Sequence, residues 1–285
     1  MSFKPKNSGG NGGNFKRDPN AKFPVPKAGN RPARVSLIID LGNQNRKDFE
    51  DPITKELKPQ KPADQIAIFL DLTADVVDYG SVIGKQPYRL MLNKSFAGEL
   101  DGINFTTGPV RDAQGAVIQG RPYNYHPMSI ITKLAKAAKV DAIVDGVDLD
   151  ITQLLNKPLL ATVEVKRSED KNGKKDEATG KVRVYENVNF RGVSEVPEIE
   201  DGVFMKVPEC QLTPMVISFA DATVDDIKYI RRDVLAKIKT ANNYAGSNMQ
   251  KAIEEFEAAS STESVVQKSE TPAFDDDEFD SDCPF

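Results

Sequence analysis

The order of the apolar runs is the feature of this chain that most limits its possible folds. Three runs are strand-like: RVSLIIDLG (34–42), DQIAIFLDLT (64–73) and PYRLMLNKS (87–95). In the second and third, alternate residues fall on two different faces. Alternation with a period of two is the pattern of a half-buried β-strand. HPMSIITKLAKAAKV (126–140) then places apolar residues at helical spacing, with lysines on the other side. Two further strand-like runs, at 157–167 and 181–193, complete the order β-β-β-α-β-β.

This order predicts a mainly β protein, with a five-stranded OB-fold barrel over residues 33–218. An OB-fold is a partly open Greek-key barrel. Two long loops, at 42–62 and 168–180, join the first strand to the second and the fourth to the fifth. In OB-folds these loops and the face of strands two and three contact oligonucleotides or oligosaccharides. Both loops also contain acids, so ordinary solvated loops are the alternative interpretation.

The two ends of the chain differ from the middle. Residues 1–32 are rich in Gly, Asn, Pro and Lys, which predicts a flexible basic arm. Residues 219–259 are expected to form helices that pack on the barrel or on a second copy. The first of them is predicted over 223–241, where Thr223 and Asp226 have the spacing of a capping box. Residues 260–285 are expected to be a disordered linker and an acidic tip.

The net charge of −5 conceals a strong polarity along the chain. Residues 1–34 contain eight Lys/Arg and one acid, whereas residues 253–285 contain eleven acids and one lysine. This asymmetry favours a polyanionic partner at one end, and self-inhibition or a basic partner at the other. No apolar run has membrane-spanning length, and the basic start lacks the apolar region of a secretory signal. We therefore expect a cytoplasmic protein without a membrane partner.

The residues offer little support for catalysis. Asp141, Asp145, Asp148 and Asp150 could suggest a metal-dependent nuclease, but their spacing matches no EF-hand loop and a turn is the plainer interpretation. One histidine, His126, and two distant cysteines, Cys210 and Cys283, are too few soft ligands for a typical zinc site. The distant cysteines also fit a reducing compartment. We expect no enzyme activity, no metal and no cofactor.

Single-stranded nucleic acid exposes phosphates, which cations neutralise, and unstacked bases, which aromatic rings stack against. Tyr185 and Asn187 share one face of the fifth strand, opposite Val184 and Val188, and such a face suits base contact. Tyr88 shares its parity with apolar neighbours, so it could equally be a core residue. The predicted DNA-binding residues are Arg46, Lys47, Lys61, Tyr88, Arg89, Lys94, Arg121, Tyr123, Tyr125, Lys166, Arg167, Lys174, Lys175, Arg183, Tyr185, Asn187 and Arg191.

Several phrases of the sequence resemble a known family. RVSLIIDLGNQ, KPADQIAIFLDL, KQPYRLMLNKSF, LLNKPLLATVEV and VYENVNFRGVSEVP, between residues 31 and 197, resemble the OB-fold single-stranded DNA-binding proteins of bacteriophages. The resemblance implies a protein that sequesters single-stranded DNA during replication and recombination, in the cytoplasm of a host cell. The helices predicted after residue 219 are additional to the domain of the bacterial proteins, so their tetramer is not assumed for this chain. A monomer and a dimer both stay open.

The ending FDDDEFDSDCPF is similar to the acidic C-terminal tip of bacterial single-stranded DNA-binding proteins, although Cys283 stands where that tip has an aliphatic residue. The resemblance implies that the tip binds replication or recombination proteins. The Phe285 ring and terminal carboxylate suit an apolar pocket with Arg or Lys. The acids could also occupy the basic groove when DNA is absent. An adaptor or annealing protein with secondary DNA contact is the alternative. The predicted partner-binding residues are Asp275, Asp276, Asp277, Glu278, Phe279, Asp280, Asp282, Pro284 and Phe285.

Overall fold

The computed structural model describes residues 25–78, 85–93, 95–96, 99–112, 114–119, 123–170, 173–175, 180–182 and 184–268. Most of the predicted basic arm and the whole acidic tip lie outside these residues. The predicted DNA-binding residues Lys94, Arg121 and Arg183 also lie outside them.

The alternating runs of the sequence form the main β-sheet. Its strands are β1 (Gly29–Gln44), β2 (Ala63–Asp78), β3 (Lys85–Met91), β4 (Pro158–Glu169), β5 (Val184–Ser194) and β6 (Met215–Ile217). The first five lie in the order β5-β4-β1-β2-β3, each antiparallel to its neighbour. The short β6 runs parallel to the middle of β1, and Ile103–Asn104 pairs with β2. The prediction of a mainly β fold is confirmed.

The strand order contains a Greek key. Strands β4, β1, β2 and β3 lie side by side in that order, which is the Greek-key arrangement, and β5 is added beside β4. Bulges at Val35–Leu37 and Asp40–Gly42 bend β1, which pairs with β4 along its first part and with β6 further on. Cα atoms of the edge strands β3 and β5 approach within 8 Å. No ladder joins these two edges in the described part of the chain, so a closed barrel is not formed there.

The helices lie between β3 and β4 and after β6. They are α1 (Ile130–Ala137), α2 (Asp141–Val144), α3 (Val224–Ile227), α4 (Arg232–Lys239) and α5 (Asn248–Lys268), with a 3-10 turn at Ile151–Leu154. The predicted helix of 126–140 starts later, because Ser129 caps α1 by accepting a bond from Thr132 N at 3.2 Å. None of these helices, among the residues described, is long and apolar enough to cross a membrane.

The C-terminal helices differ from their predicted bounds. The capping box between Thr223 and Asp226 is present, but the expected single helix of 223–241 is split into α3 and α4 by a turn at 228–231. The last helix, α5, continues past Ala259 to Lys268, so part of the predicted linker is helical.

Four two-stranded ribbons lie in the described parts of the loops. They pair Phe49–Glu50 with Leu57–Lys58, Ser95–Phe96 with Glu99–Leu100, Thr107–Gly108 with Asn124–Tyr125, and Glu198–Glu200 with Val203–Phe204.

Each face of the sheet has its own apolar core. The inner core lies between one face of the sheet and α1, and its fully buried residues include Ile131, Leu134, Ile68 and Leu70. The outer core packs β1 and β2 against the C-terminal helices. Gly42 permits this close approach, because a Cβ there would lie 2.6 Å from the Phe219 ring. The helices therefore pack on the sheet, as one of the two predicted alternatives stated.

Candidate nucleic-acid interface

The outer face of β2 and β3, where the sequence predicted nucleic-acid contact, is largely covered by the chain itself. Phe69 is buried beneath the C-terminal helices, and Met91 packs against the same outer core. Further along, Arg34 donates hydrogen bonds to the carbonyls of Pro208 at 2.7 Å and Val207 at 2.9 Å, which hold the segment before β6 across the sheet. This face offers little surface to a strand of nucleic acid.

Arg89 lies on the covered face and has a structural role. Its Nε donates to Asp71 Oδ1 at 2.9 Å, and its Nη2 lies 3.4 Å from Oδ2. The Asp71 side chain is only 3% exposed and also accepts a bond from Ser36 Oγ at 2.8 Å. The Arg89 charge therefore compensates a buried carboxylate, which argues against the predicted contact of Arg89 with phosphate. Tyr88, on the other side of β3, packs against the inner core.

Tyr125 is also a core residue. Its hydroxyl donates to the Leu149 carbonyl at 2.9 Å, and its ring lies 5.7 Å from that of Phe105. Burial raises the pKa of Tyr125 to about 12, with a smaller contribution from Asp150. The ring is buried, which argues against the predicted contact of Tyr125 with a base. Tyr123, two residues earlier, is exposed and stays a candidate.

The β4–β5 hairpin brings together most of the remaining predicted residues. Register pairs Lys166 with Asn187 and Ser168 with Tyr185, which places these four side chains on the outer face. Val188 packs against the inner core from the other face. The predicted parity of the fifth strand is therefore confirmed for Tyr185 and Asn187.

The outer face of this hairpin is polar and exposed. The Tyr185 hydroxyl donates to Asp170 Oδ2 at 2.9 Å, and Asn187 Nδ2 donates to Ser168 Oγ at 2.8 Å. Arg191 donates from Nε to Glu164 Oε2 at 2.7 Å. Lys166 Nζ also lies 3.6 Å from that carboxylate. Exposed ion pairs contribute at most about 1 kcal/mol, so these cations can exchange their carboxylate for a phosphate at small cost.

The rest of the hairpin is exposed and slightly basic. Arg167 lies on the opposite face, 77% exposed, with its Nε 2.8 Å from Glu186 Oε1. Lys174 and Lys175 are exposed in the connecting loop. Residues 164–191 contain eight Lys/Arg against six Asp/Glu, so the positive excess of the hairpin is modest.

The predicted residues of the β1–β2 loop lie elsewhere. Arg46 is partly buried, Lys47 places its Nζ 3.3 Å from Glu99, and Lys61 is exposed. The first residues of β4 pair with β1 between Arg34 and Gly29. The later residues of β4 extend beyond Gly29, the first residue of β1. The β4–β5 hairpin and the β1–β2 loop therefore leave opposite ends of β1.

A ribbon in the β1–β2 loop was missed by the sequence reasoning. Phe49–Glu50 and Leu57–Lys58 form it, and Asp51 and Pro52 begin its turn. The Asp-Pro pair between two short apolar-polar alternations was the available signal.

Two of the four aspartates considered for a metal site, Asp148 and Asp150, have side chains that serve local structure. Asp148 accepts bonds from Asp150 N at 3.0 Å and from Gln153 Nε2 at 2.8 Å, and Asp150 caps the 3-10 turn at Thr152 N. Within the described ranges, no group of three or more His, Cys, Asp or Glu side chains is arranged to hold a metal ion. The turn interpretation accounts for the positions of these carboxylates.

Comparisons of the chain with protein-family profiles, with curated proteins and with solved structures gave no match.

Proposed function

We propose that this protein is an OB-fold protein that binds single-stranded DNA without strong sequence preference. The observation that carries the proposal is the sheet order β5-β4-β1-β2-β3, with α1 inserted between β3 and β4 and with the β3 and β5 edges close together. A five-stranded, partly open Greek-key barrel is the OB architecture, and OB-folds commonly bind oligonucleotides. Fold alone does not determine function, so the residues of the site must support it.

The DNA path that we propose crosses the outer face of the β4–β5 hairpin. The exposed ring of Tyr185 can stack on a base, and the amide of Asn187 can bond to a base edge. Lys166 and Arg191 can neutralise phosphates, because their present partners form only exposed pairs. Unlike the outer face of β2 and β3, this surface is not covered by the C-terminal helices.

The acidic tip, in this proposal, recruits replication or recombination proteins of the phage or host. Its support is the sequence, in which six acids between Asp275 and Asp282 precede Pro284 and Phe285. The same acids compete with DNA for the cations of the hairpin. Deleting residues 272–285 separates the two roles, because DNA affinity is kept or raised while partner binding is lost.

Fluorescence anisotropy with a labelled oligo-dT tests the path. Tyr185→Ala should weaken binding by about tenfold, since stacking contributes roughly 1–3 kcal/mol per base. Val184→Ala is the matched control, because Val184 is an exposed neighbour on the opposite face of the same strand. The oligo-dT affinity of this control should stay within about twofold of that of the unchanged protein. If oligo-dT binds and Tyr185→Ala binds equally well, the path is wrong. If the unchanged protein does not bind oligo-dT, the function is wrong.

A further inference from the structure

The ribbon between β1 and β2 projects apolar side chains into solvent. We call residues 49–58 the β1–β2 ribbon. Ile53, in its turn, is 89% exposed, Leu57 is 66% exposed and Phe49 is 50% exposed. Single exposed apolar residues are ordinary, but three within ten residues of one small ribbon indicate a contact surface.

The turn of the ribbon is held in one conformation by Asp51. Its Oδ1 accepts bonds from Ile53 N at 2.9 Å and Thr54 N at 3.1 Å, and its Oδ2 accepts a bond from Lys58 Nζ at 3.0 Å. These bonds, led by that from Ile53, lower the pKa of Asp51. The carbonyl of Asp51 also accepts from Lys55 N at 2.8 Å. Ile53 is therefore presented on an ordered turn.

The apolar side chains do not form one buried face. Register pairs Phe49 with Lys58 and Glu50 with Leu57, so Phe49 and Leu57 point to opposite faces, with Ile53 at the turn between them. A ribbon that rested on its own sheet would keep its apolar residues on one face. An element that is inserted between two surfaces has apolar contacts on both faces and at its turn.

The charges of the ribbon differ from those at its base. Near the turn the cations are paired within the ribbon, Lys58 with Asp51 at 3.0 Å and Lys55 with Glu50 at 3.2 Å. At the base, Gln60 Nε2 donates to the Lys47 carbonyl at 2.8 Å and joins the two arms of the loop, where Lys61 is also exposed. Residues 49–58 contain three acids, Glu50, Asp51 and Glu56, against these two lysines. At the base, Arg46, Lys47 and Lys61 stand against one acid, Asp48.

We propose that the β1–β2 ribbon is an apolar wedge that inserts between bases where a single strand of DNA meets a duplex. Apolar side chains such as Ile, Leu, Phe and Pro unstack base steps in this way, and cations beside them hold the phosphates. The inference rests on the proposed DNA binding and adds a substrate, the junction, and an activity, the unstacking of its terminal base pair.

A 2-aminopurine placed at the junction of a tailed duplex reports this unstacking by increased fluorescence. The intact protein should raise the signal, and Ile53→Ala with Leu57→Ala should lose most of it. Because the phosphate contacts remain, the affinity of this double variant for oligo-dT should stay within about threefold. Val147→Ala with Ile199→Ala is the matched control, since both residues are exposed and apolar but lie outside the ribbon, and it should behave as the unaltered chain.

The outcomes distinguish the wedge from the proposed function. Oligo-dT binding without any junction signal overturns the wedge and leaves DNA binding standing. No oligo-dT binding overturns the proposed function. Equal loss of oligo-dT affinity and junction signal also overturns the wedge, because the ribbon is then a general strand contact. Asp51→Ala, which loosens the turn and leaves every apolar side chain in place, should reduce the junction signal in part, and an unchanged signal contradicts the role of the ordered turn.

Discussion

Replacing Arg89 with methionine removes the guanidinium that compensates Asp71, and we expect the fold to lose stability while DNA affinity is kept. Arg89 supplies two of the three donors that contact the Asp71 carboxylate, at 2.9 and 3.4 Å, and Ser36 Oγ supplies the third at 2.8 Å. The variant leaves the carboxyl group of Asp71, 3% exposed, with Ser36 Oγ as its one remaining donor among the described residues.

The size of the loss follows from the burial of the pair. Removing one partner of a fully buried ion pair costs about 3–5 kcal/mol. Arg89 is 27% exposed, and a cavity of about 280 Å³ lined by Ser36 and Arg89 can admit water to the carboxylate. We therefore expect a loss of about 2–3 kcal/mol, which lowers Tm by about 5 °C in a chain of this size.

Urea unfolding followed by circular dichroism measures this loss. Arg167→Met is the matched control, because it breaks an Arg–carboxylate pair of 2.8 Å on the same sheet whose arginine is 77% exposed. Its cost should be under about 1 kcal/mol. The variant Arg89→Met with Asp71→Leu should recover much of the stability, since the unpaired charge is removed. Unchanged stability of Arg89→Met together with weaker oligo-dT binding would refute the structural role of Arg89.

Three further predictions concern the cores and the titratable groups. Ile253→Ala should cost about 2–5 kcal/mol in urea unfolding because Ile253 is fully buried in the outer core, whereas Ile199→Ala at the surface should change stability by under about 0.5 kcal/mol. The pKa of Tyr125 is raised to about 12 in the folded chain, so this hydroxyl loses its proton at a lower pH in the unfolded chain, and the free energy of unfolding should fall as pH rises from 10 to 12. Tyr125→Phe should show a shallower fall, and an equal fall contradicts this prediction. Burial raises the pKa of Cys210 to about 11, so in a Cys283→Ser variant iodoacetamide at about pH 8 should react on the order of a hundredfold more slowly than with an unshifted thiol, and rapid alkylation contradicts this.

The strands were predictable because their signal is local. A strand-like apolar run can be recognised within a short window of sequence, and each of the five predicted runs overlaps a strand of the sheet. The start of β1 at Gly29 was not visible, because residues 29–32 form a strand through their pairing with β4, which is distant in sequence. The break between α3 and α4 was also missed, since Ile227 and Ile230 continue the apolar spacing through the turn.

The candidate site was less predictable because it depends on contacts distant in sequence. The parity of Tyr185 and Asn187 was correct, since alternation determines which side chains share a face. The covering of β2 and β3 depends on bonds from Arg34 to residues more than 170 positions away. The role of Arg89 was not predictable either, because the alternation along β3 shows only which face of the sheet the side chain lies on. Its buried partner on β2 is a property of the folded chain.

A salt titration of oligo-dT binding, measured beside a duplex of equal length, tests the central claim most directly. About four cations of the β4–β5 hairpin are available to phosphates, so log affinity should fall with log salt with a slope of about −3. The protein should bind the single strand more tightly than the duplex, and deletion of residues 272–285 should keep or raise that affinity. Equal affinity for the two forms of DNA, or binding that does not respond to salt, would contradict the account.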